Sequence, residues 1–363
     1  MTRLPGKSSW RPSRRTVLKG AAVTAAASVV APRVGLAAEE LNILVWCDHA
    51  DDKLIKPFEA AHNVKVNVKT YEGTGTALSI VEQSKPGDWD VFVIDAPDVP
   101  TVADSGLLME LPEDIAPWGD MREEIRNSPF ARVNGKLYAA PEKFGYYGFC
   151  YNKDKIDEAD ATRGDLPWND KYKGQLAVYD YYFPIIQMVG ISMGWKPNDI
   201  DQDKLEKIRA RLIEAKPNVK LIGDIVSVQN ALATGNADAI IGGAEYAVSG
   251  LMPTNPHLDW TISDEGGLIW TQGLAVFSDS KRKDLAQEFV KWILSPKGQG
   301  ALATSECFWA MPTNNKADLD AATKKTLRWD QQGDFLARSV YSQLPKGDLD
   351  AAMLDVWTEF LQS

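Results

Sequence analysis

The stretch from Leu41 to Gly73 constrains the fold more than any other part of the chain. Leu41 to Trp46 is a short apolar run with β-branched members, the pattern of a buried strand. Leu54, Ile55, Phe58, Ala61 and His62 then recur at helical spacing, which predicts a helix from about Asp51 to His62. Val64, Val66 and Val68 alternate with polar residues as a second strand would. Strand, helix and strand in that order make the βαβ unit of a parallel sheet, so the fold class is α/β. In such sheets ligands gather at the carboxyl ends of strands, where Trp46, Cys47, Asp48 and His49 lie. An indole beside a carboxylate suits a cation; the same pair also suits a core tryptophan beside a helix cap.

The pattern repeats downstream. Strands are predicted at 89–94, 145–152, 175–179, 219–222, 237–241 and 265–276, and helices at 77–83, 185–195, 205–212, 224–233 and 351–361. Leu285, Phe289, Trp292 and Ile293 form a further helical stripe that stops at Ser295-Pro296. Asn134-Gly135 marks a hairpin. Asp95 ends a predicted strand and so shares the rim of Asp48. The roughly 325 residues after Ala38 exceed one compact core, which predicts two lobes.

Residues 1–38 read as an address. Ser13-Arg14-Arg15-Thr16-Val17-Leu18-Lys19 fits the twin-arginine export pattern, an alanine-rich apolar segment follows, and Gly35-Leu36-Ala37 supplies small residues for cleavage. A soluble protein exported to the periplasm is the expectation. Met1 to Ala37 hold seven basic and no acidic residues, leaving 33 of the 40 basic side chains against 50 acidic ones, net −17. That balance argues against nucleic acid and anionic membrane surfaces as partners.

Little in the chain points to catalysis. Gly190-Ile191-Ser192-Met193-Gly194 has the letters of a nucleophile elbow, but the serine falls inside a predicted helix. His49, His62 and His257 show no metal-binding spacing, and the chain has neither a P-loop nor a dinucleotide fingerprint. No enzyme activity, cofactor or metal site is expected. The pairs Tyr146-Tyr147 and Tyr181-Tyr182 have the residue type that holds ferric iron, although packing with an exposed hydroxyl is the commoner role. Cys47, Cys150 and Cys307 read first as buried small side chains; an oxidising compartment would allow a Cys47–Cys150 or Cys150–Cys307 bridge.

Trp46 with its acidic neighbour, Thr70-Tyr71-Glu72, the Trp168 to Gly174 segment, Glu265-Gly266-Gly267 with Trp270, and the helix before Ser295-Pro296 together resemble the periplasmic solute-binding proteins of spermidine/putrescine type. The resemblance spans essentially the whole chain after residue 38. It implies a type II binding-protein fold of two α/β lobes, with residues 39–146 and 275–330 in the first and 147–274 and 331–363 in the second. Ligand would sit in the cleft between them, and the partners would be a small amine and the permease subunits of an ABC importer. A monomer is expected.

By the same resemblance Trp46 and Trp270 supply ring faces, and Asp48 keeps an acid on the first loop. Other positions depart: Tyr181 and Pro184 stand where polyamine binders carry acids, and Gln272 replaces an aspartate that anchors an ammonium. Asp95 adds an acid in return. The expected binding set is Trp46, Asp48, His49, Asp95, Tyr147, Tyr181, Trp270, Gln272 and Trp309. A polyamine is the expected ligand, with a zwitterionic ω-amino acid or a quaternary amine as the alternative, ferric iron behind both, and an exported hydrolase more remote still.

Overall fold

The computed structural model describes residues 39–363; the twin-arginine motif and cleavage site lie outside the described residues. Strand β1 (Glu39–Val45) buries Leu41, Ile43, Leu44 and Val45 completely. The helix Asp52–His62 follows, capped by the Asp51 carboxylate, which accepts from the Lys53 amide at 2.8 Å. Asn63 ends it in the left-handed region at φ 53°. β2 (Val64–Thr70) and β3 (Val91–Asp95) both pair parallel with β1, as the βαβ pattern requires. β4 (Arg132–Val133) and β5 (Lys136–Leu137) form the hairpin at Asn134-Gly135, whose φ values of 52° and 79° explain that residue pair.

The next strand is the longest. β6 (Ala140–Asn152) begins five residues before the predicted Gly145, and Tyr147 is its one residue that is not fully buried. β7 (Leu176–Tyr179), β8 (Val219–Gly223) and β9 (Ala239–Gly243) form a second parallel group. β10 (Leu258–Thr261) and β11 (Leu268–Val276) run antiparallel to β6. β12 (Met311–Pro312) and β13 (Val340–Tyr341) add short edges to β6 and β11. The strand order is β2-β1-β3-β11-β6-β9-β7-β8, so β6 links two halves. Its Ala140–Tyr147 part pairs with β11, and its Gly148–Tyr151 part with β9.

Each half has its own apolar core. In the first, Phe58 meets Phe289 edge-on at 5.0 Å, from the helix Lys283–Leu294 that the stripe at 285–293 predicts. In the second, the C-terminal helix Asp348–Gln362 lays Met353, Val356, Trp357 and Phe360 against the helices Tyr182–Ser192 and Gln202–Ala215. The helix 182–192 stops short of the predicted Trp195 because Gly194 turns left-handed at φ 83°.

The cysteines differ from the sequence reading. Cys47 and Cys307 form a disulfide across 260 residues with Cα atoms 6.0 Å apart, and the buried Cys150 is the free thiol. Neither half of that bridge is visible as a pair in the sequence, because the chain leaves and re-enters the first half between them.

Candidate functional site

The carboxyl ends of β1, β3, β7 and β9 face one cleft of about 920 Å³ including its open mouth. From the first half come Trp46 and Asp48 after β1, and Asp95, Pro97 and Asp98 at the end of β3. From the second come Tyr179, Tyr181, Phe183, Ile225 and Tyr246. Lys143 and Tyr147 on β6, and Trp270, Thr271 and Gln272 on β11, make the floor, while Phe308 and Trp309 close a side. The cleft therefore collects every residue of the expected set except His49, which is wholly buried behind Asp48.

The aromatic rings are arranged edge to face. Tyr246 lies 5.9 Å from Trp270 and 6.3 Å from Tyr147, and Tyr147 lies 6.1 Å from Tyr181. Such a wall offers ring faces to a cation and excludes water from it. The alternation of β6 splits the first tyrosine pair, and the start of a helix splits the second, with Tyr181 at its N-cap and Tyr182 its first residue. Tyr147 and Tyr181 turn to the cleft, whereas Tyr146 donates to Gln332 at 2.8 Å and Tyr182 to Asp350.

Two kinds of acid stand at the site. Asp48 is committed: Lys143 Nζ and His49 Nδ1 both bond its oxygens, the latter at 2.9 Å. Burial works to raise the Asp48 carboxyl, but Lys143 and His49 outweigh it and hold the group well below the usual range. His49 Nε2 in turn meets Glu142 Oε2 at 2.7 Å. Burial opposes the imidazolium, yet Glu142 and Asp48 together raise its pKa above 6.5. Asp48, Glu142, His49 and Lys143 thus form one buried, hydrogen-bonded set of two acids and two bases.

A bulge builds that set. Gln272 of β11 opposes Lys143 while the next residue, Gly273, opposes Pro141, so Glu142 is the extra residue. Glu142 and Lys143, which a regular strand would send to opposite faces, both reach the turn Cys47–Ala50.

Asp95 and Asp98 are the acids left facing the cleft, and Asp95 stands beside its floor. Asp95 accepts from Gln272 Nε2 at 2.7 Å and from Thr74 Oγ1 at 3.3 Å. Burial pushes its carboxyl up to about 6, against the bond from Gln272. Burial likewise raises Asp98 beside it. Gln272 Oε1 and Trp270 Nε1 are buried without a hydrogen-bond partner among the described residues. Glu245 packs behind the Trp270 ring, against Gly145, where burial lifts its carboxyl well above its ordinary value. Ser192, the elbow candidate, ends a helix and donates to the Val189 carbonyl at 2.8 Å.

The sequence reading missed Lys143, Glu142 and Asp98. The signal for the first two was present: adjacent charges inside an otherwise apolar strand require buried partners.

Residues 53–329 match the family model for bacterial extracellular solute-binding proteins. The chain belongs to that family. Such proteins are receptors, not enzymes; they bind small solutes and deliver them to the membrane permeases of ABC importers. The putrescine/agmatine-binding protein of Pseudomonas aeruginosa is 22% identical to this solute-binding protein over 319 residues, covering 84% of this chain and 86% of that one. The spermidine/putrescine-binding periplasmic protein of Escherichia coli is 23% identical over 254 residues, covering 69% and 71%. Among solved structures, the spermidine/putrescine ABC transporter substrate-binding protein PotD of Streptococcus pneumoniae is similar with a TM-score of 0.77 at 19% identity, over 90% of this chain and 99% of that one. The solute-binding protein therefore has the two-lobe type II periplasmic-binding-protein fold, each lobe a sheet flanked by helices. Among the described residues no helix is long and apolar enough to cross a membrane.

Proposed function

We propose that this solute-binding protein is the receptor for a small amine, a polyamine such as putrescine or spermidine or a related amine, held in the interlobe cleft. The observation that carries the reading is Asp95, an acid with no cationic side chain bonded to it, at the foot of an aromatic wall. An ammonium there donates a charge-assisted hydrogen bond to Asp95 and finds a second acceptor in Gln272 Oε1. Trp46, Trp270, Tyr147 and Tyr181 supply ring faces, Trp309 closes the side, and His49 holds Asp48 from behind. The names of the relatives support the amine class, and the net charge of −17 after Ala37 suits a cationic solute.

We assign the first lobe to residues 39–146 and 275–330 and the second to 147–274 and 331–363, with export by the twin-arginine route to the periplasm and action as a monomer. Ligand draws the lobes together. Calorimetry with putrescine, spermidine and simple alkylamines tests the reading: saturable binding of at least one is expected, with a smaller radius of gyration by solution scattering. Failure of every amine to bind would overturn it.

A further inference from the structure

We infer that Lys143 forms an anion-binding end of the cleft, so that the preferred ligand is an amine that also carries a carboxylate. The inference rests on the amine reading for the ligand's other end.

Three residues carry it. Gln272 on β11 stands directly opposite Lys143 on β6 and directly opposite Asp95 on β3. Residues opposed in this way share one face of the sheet, and all three line the cleft. The floor is thus a row of cation, amide and anion across three neighbouring strands. With strands about 4.8 Å apart, the outer Cα atoms are roughly 10 Å from each other. A short-chain molecule with opposite charges at its ends matches that row.

Lys143 also has bonding capacity to spare. Its side chain is 5% exposed, and Asp48 is its only hydrogen-bond partner among the described residues. An ammonium has three N–H donors, so two remain for a ligand in a place where little water can meet them. A carboxylate fills that need. A second ammonium would instead approach a cation whose neighbouring acids already have basic partners: Asp48 is bonded to Lys143 and His49, and Glu142 Oε2 to His49, while Glu142 Oε1 is buried without a partner among the described residues. The amide of Gln272 leans on Asp95, which keeps the anionic end distinct from the cationic one.

The test is calorimetry on the full chain with 5-aminopentanoate, 1-aminopentane and 1,5-diaminopentane, together with their four- and six-carbon counterparts. At the best chain length the amino acid is expected to bind roughly tenfold or more tightly than both the monoamine and the diamine. Lys143→Gln is expected to narrow the preference for amino acid over monoamine to about threefold or less, and Lys143→Arg to retain most of it. That ratio reports the carboxylate contact, which a general loosening of the cleft would not change. The ligand comparison in the unmodified chain needs no variant, so the inference stays exposed if Lys143→Gln folds poorly. Tighter binding of the diamine than of the amino acid, or an undiminished ratio in Lys143→Gln, would overturn this inference and leave the amine reading intact. Binding of none of the ligands would overturn both.

Discussion

Gln272 reaches across from β11 and donates its amide to Asp95 on β3, at 2.7 Å, from the position directly opposite. The bond orients the Asp95 carboxylate without neutralising it. A glutamine brings no second negative charge, so the cleft gains one oriented acid where the polyamine-binder pattern has another aspartate. The character of the site then depends on how Asp95 titrates.

Amine affinity should fall in acid. An ammonium needs Asp95 ionised, and its carboxyl titrates near 6. With the ligand charged throughout, affinity should be about tenfold weaker at pH 5 than at pH 7.5. Asp95→Asn should flatten that profile and cost about 1.5–3 kcal/mol of binding at pH 7.5. A profile that stays steep in Asp95→Asn would assign the titration to another group.

The same residue should lower stability in the ligand-free protein. Its carboxyl is raised in the folded chain, from 3.8 to about 6, so the folded state holds the extra proton across that window. This contribution to stability therefore declines as pH rises from about 4 to 6. Asp95→Asn should raise the ligand-free stability at pH 7.5 by about 1 kcal/mol, a Tm gain of about 2 °C. Scanning calorimetry showing a lower Tm would refute this.

His49 should shift stability with pH in the same direction, in a higher window. Its pKa is raised above 6.5 by Glu142 and Asp48, so its contribution is fully present below 6.5 and is lost as pH climbs through the higher folded value. Asp48 is depressed below 3.8, so its own contribution holds above that value and fails only in strong acid. His49→Leu leaves two buried acids facing each other's charge and should cost about 3–5 kcal/mol at pH 6. Denaturant midpoints from pH 6.5 to 9 should decline in the natural chain and flatten in the variant; a midpoint that stays level across this range in the natural chain would show His49 to be neutral.

Reduction of the Cys47–Cys307 bridge should loosen the cleft. Cys47 lies between Trp46 and Asp48, and Cys307 precedes Phe308 and Trp309, so the bridge joins two lining segments. Cys307 is exposed and open to reductant. Loss of the bridge should cost about 2–5 kcal/mol of stability. It should also weaken amine binding by roughly fivefold as the two segments lose their preset positions. Equal affinity with and without reductant would separate the bridge from the site.

The βαβ start and the helix Lys283–Leu294 were legible because each carries a one-sided apolar pattern dictated by burial. Most of the cleft was legible for a related reason: Trp46, Asp95 and Tyr181 stand at strand or helix ends, and ends are where an α/β sheet presents side chains. Lys143 was not legible, because its partner Asp48 is 95 residues away and joins it only through a bulge. The helix Pro296–Ala303 was hidden by Ser295-Pro296, which reads as a stop. In fact Ser295 caps a new helix, accepting from the Gly298 amide at 3.1 Å, with Pro296 at its first position.

The placement of β11 has a consequence for biosynthesis. β3 ends at Asp95 and β6 at Asn152, yet the strand that fills the space between them runs from Leu268 to Val276. A growing polypeptide on the ribosome must therefore hold two apolar strands apart, unpaired along their facing sides, until most of its length has been made. Pairing so distant in sequence forms slowly. Until β11 arrives the nascent chain needs shelter from its neighbours, and the floor of the cleft, Gln272 included, is among the last parts of the molecule to come into being.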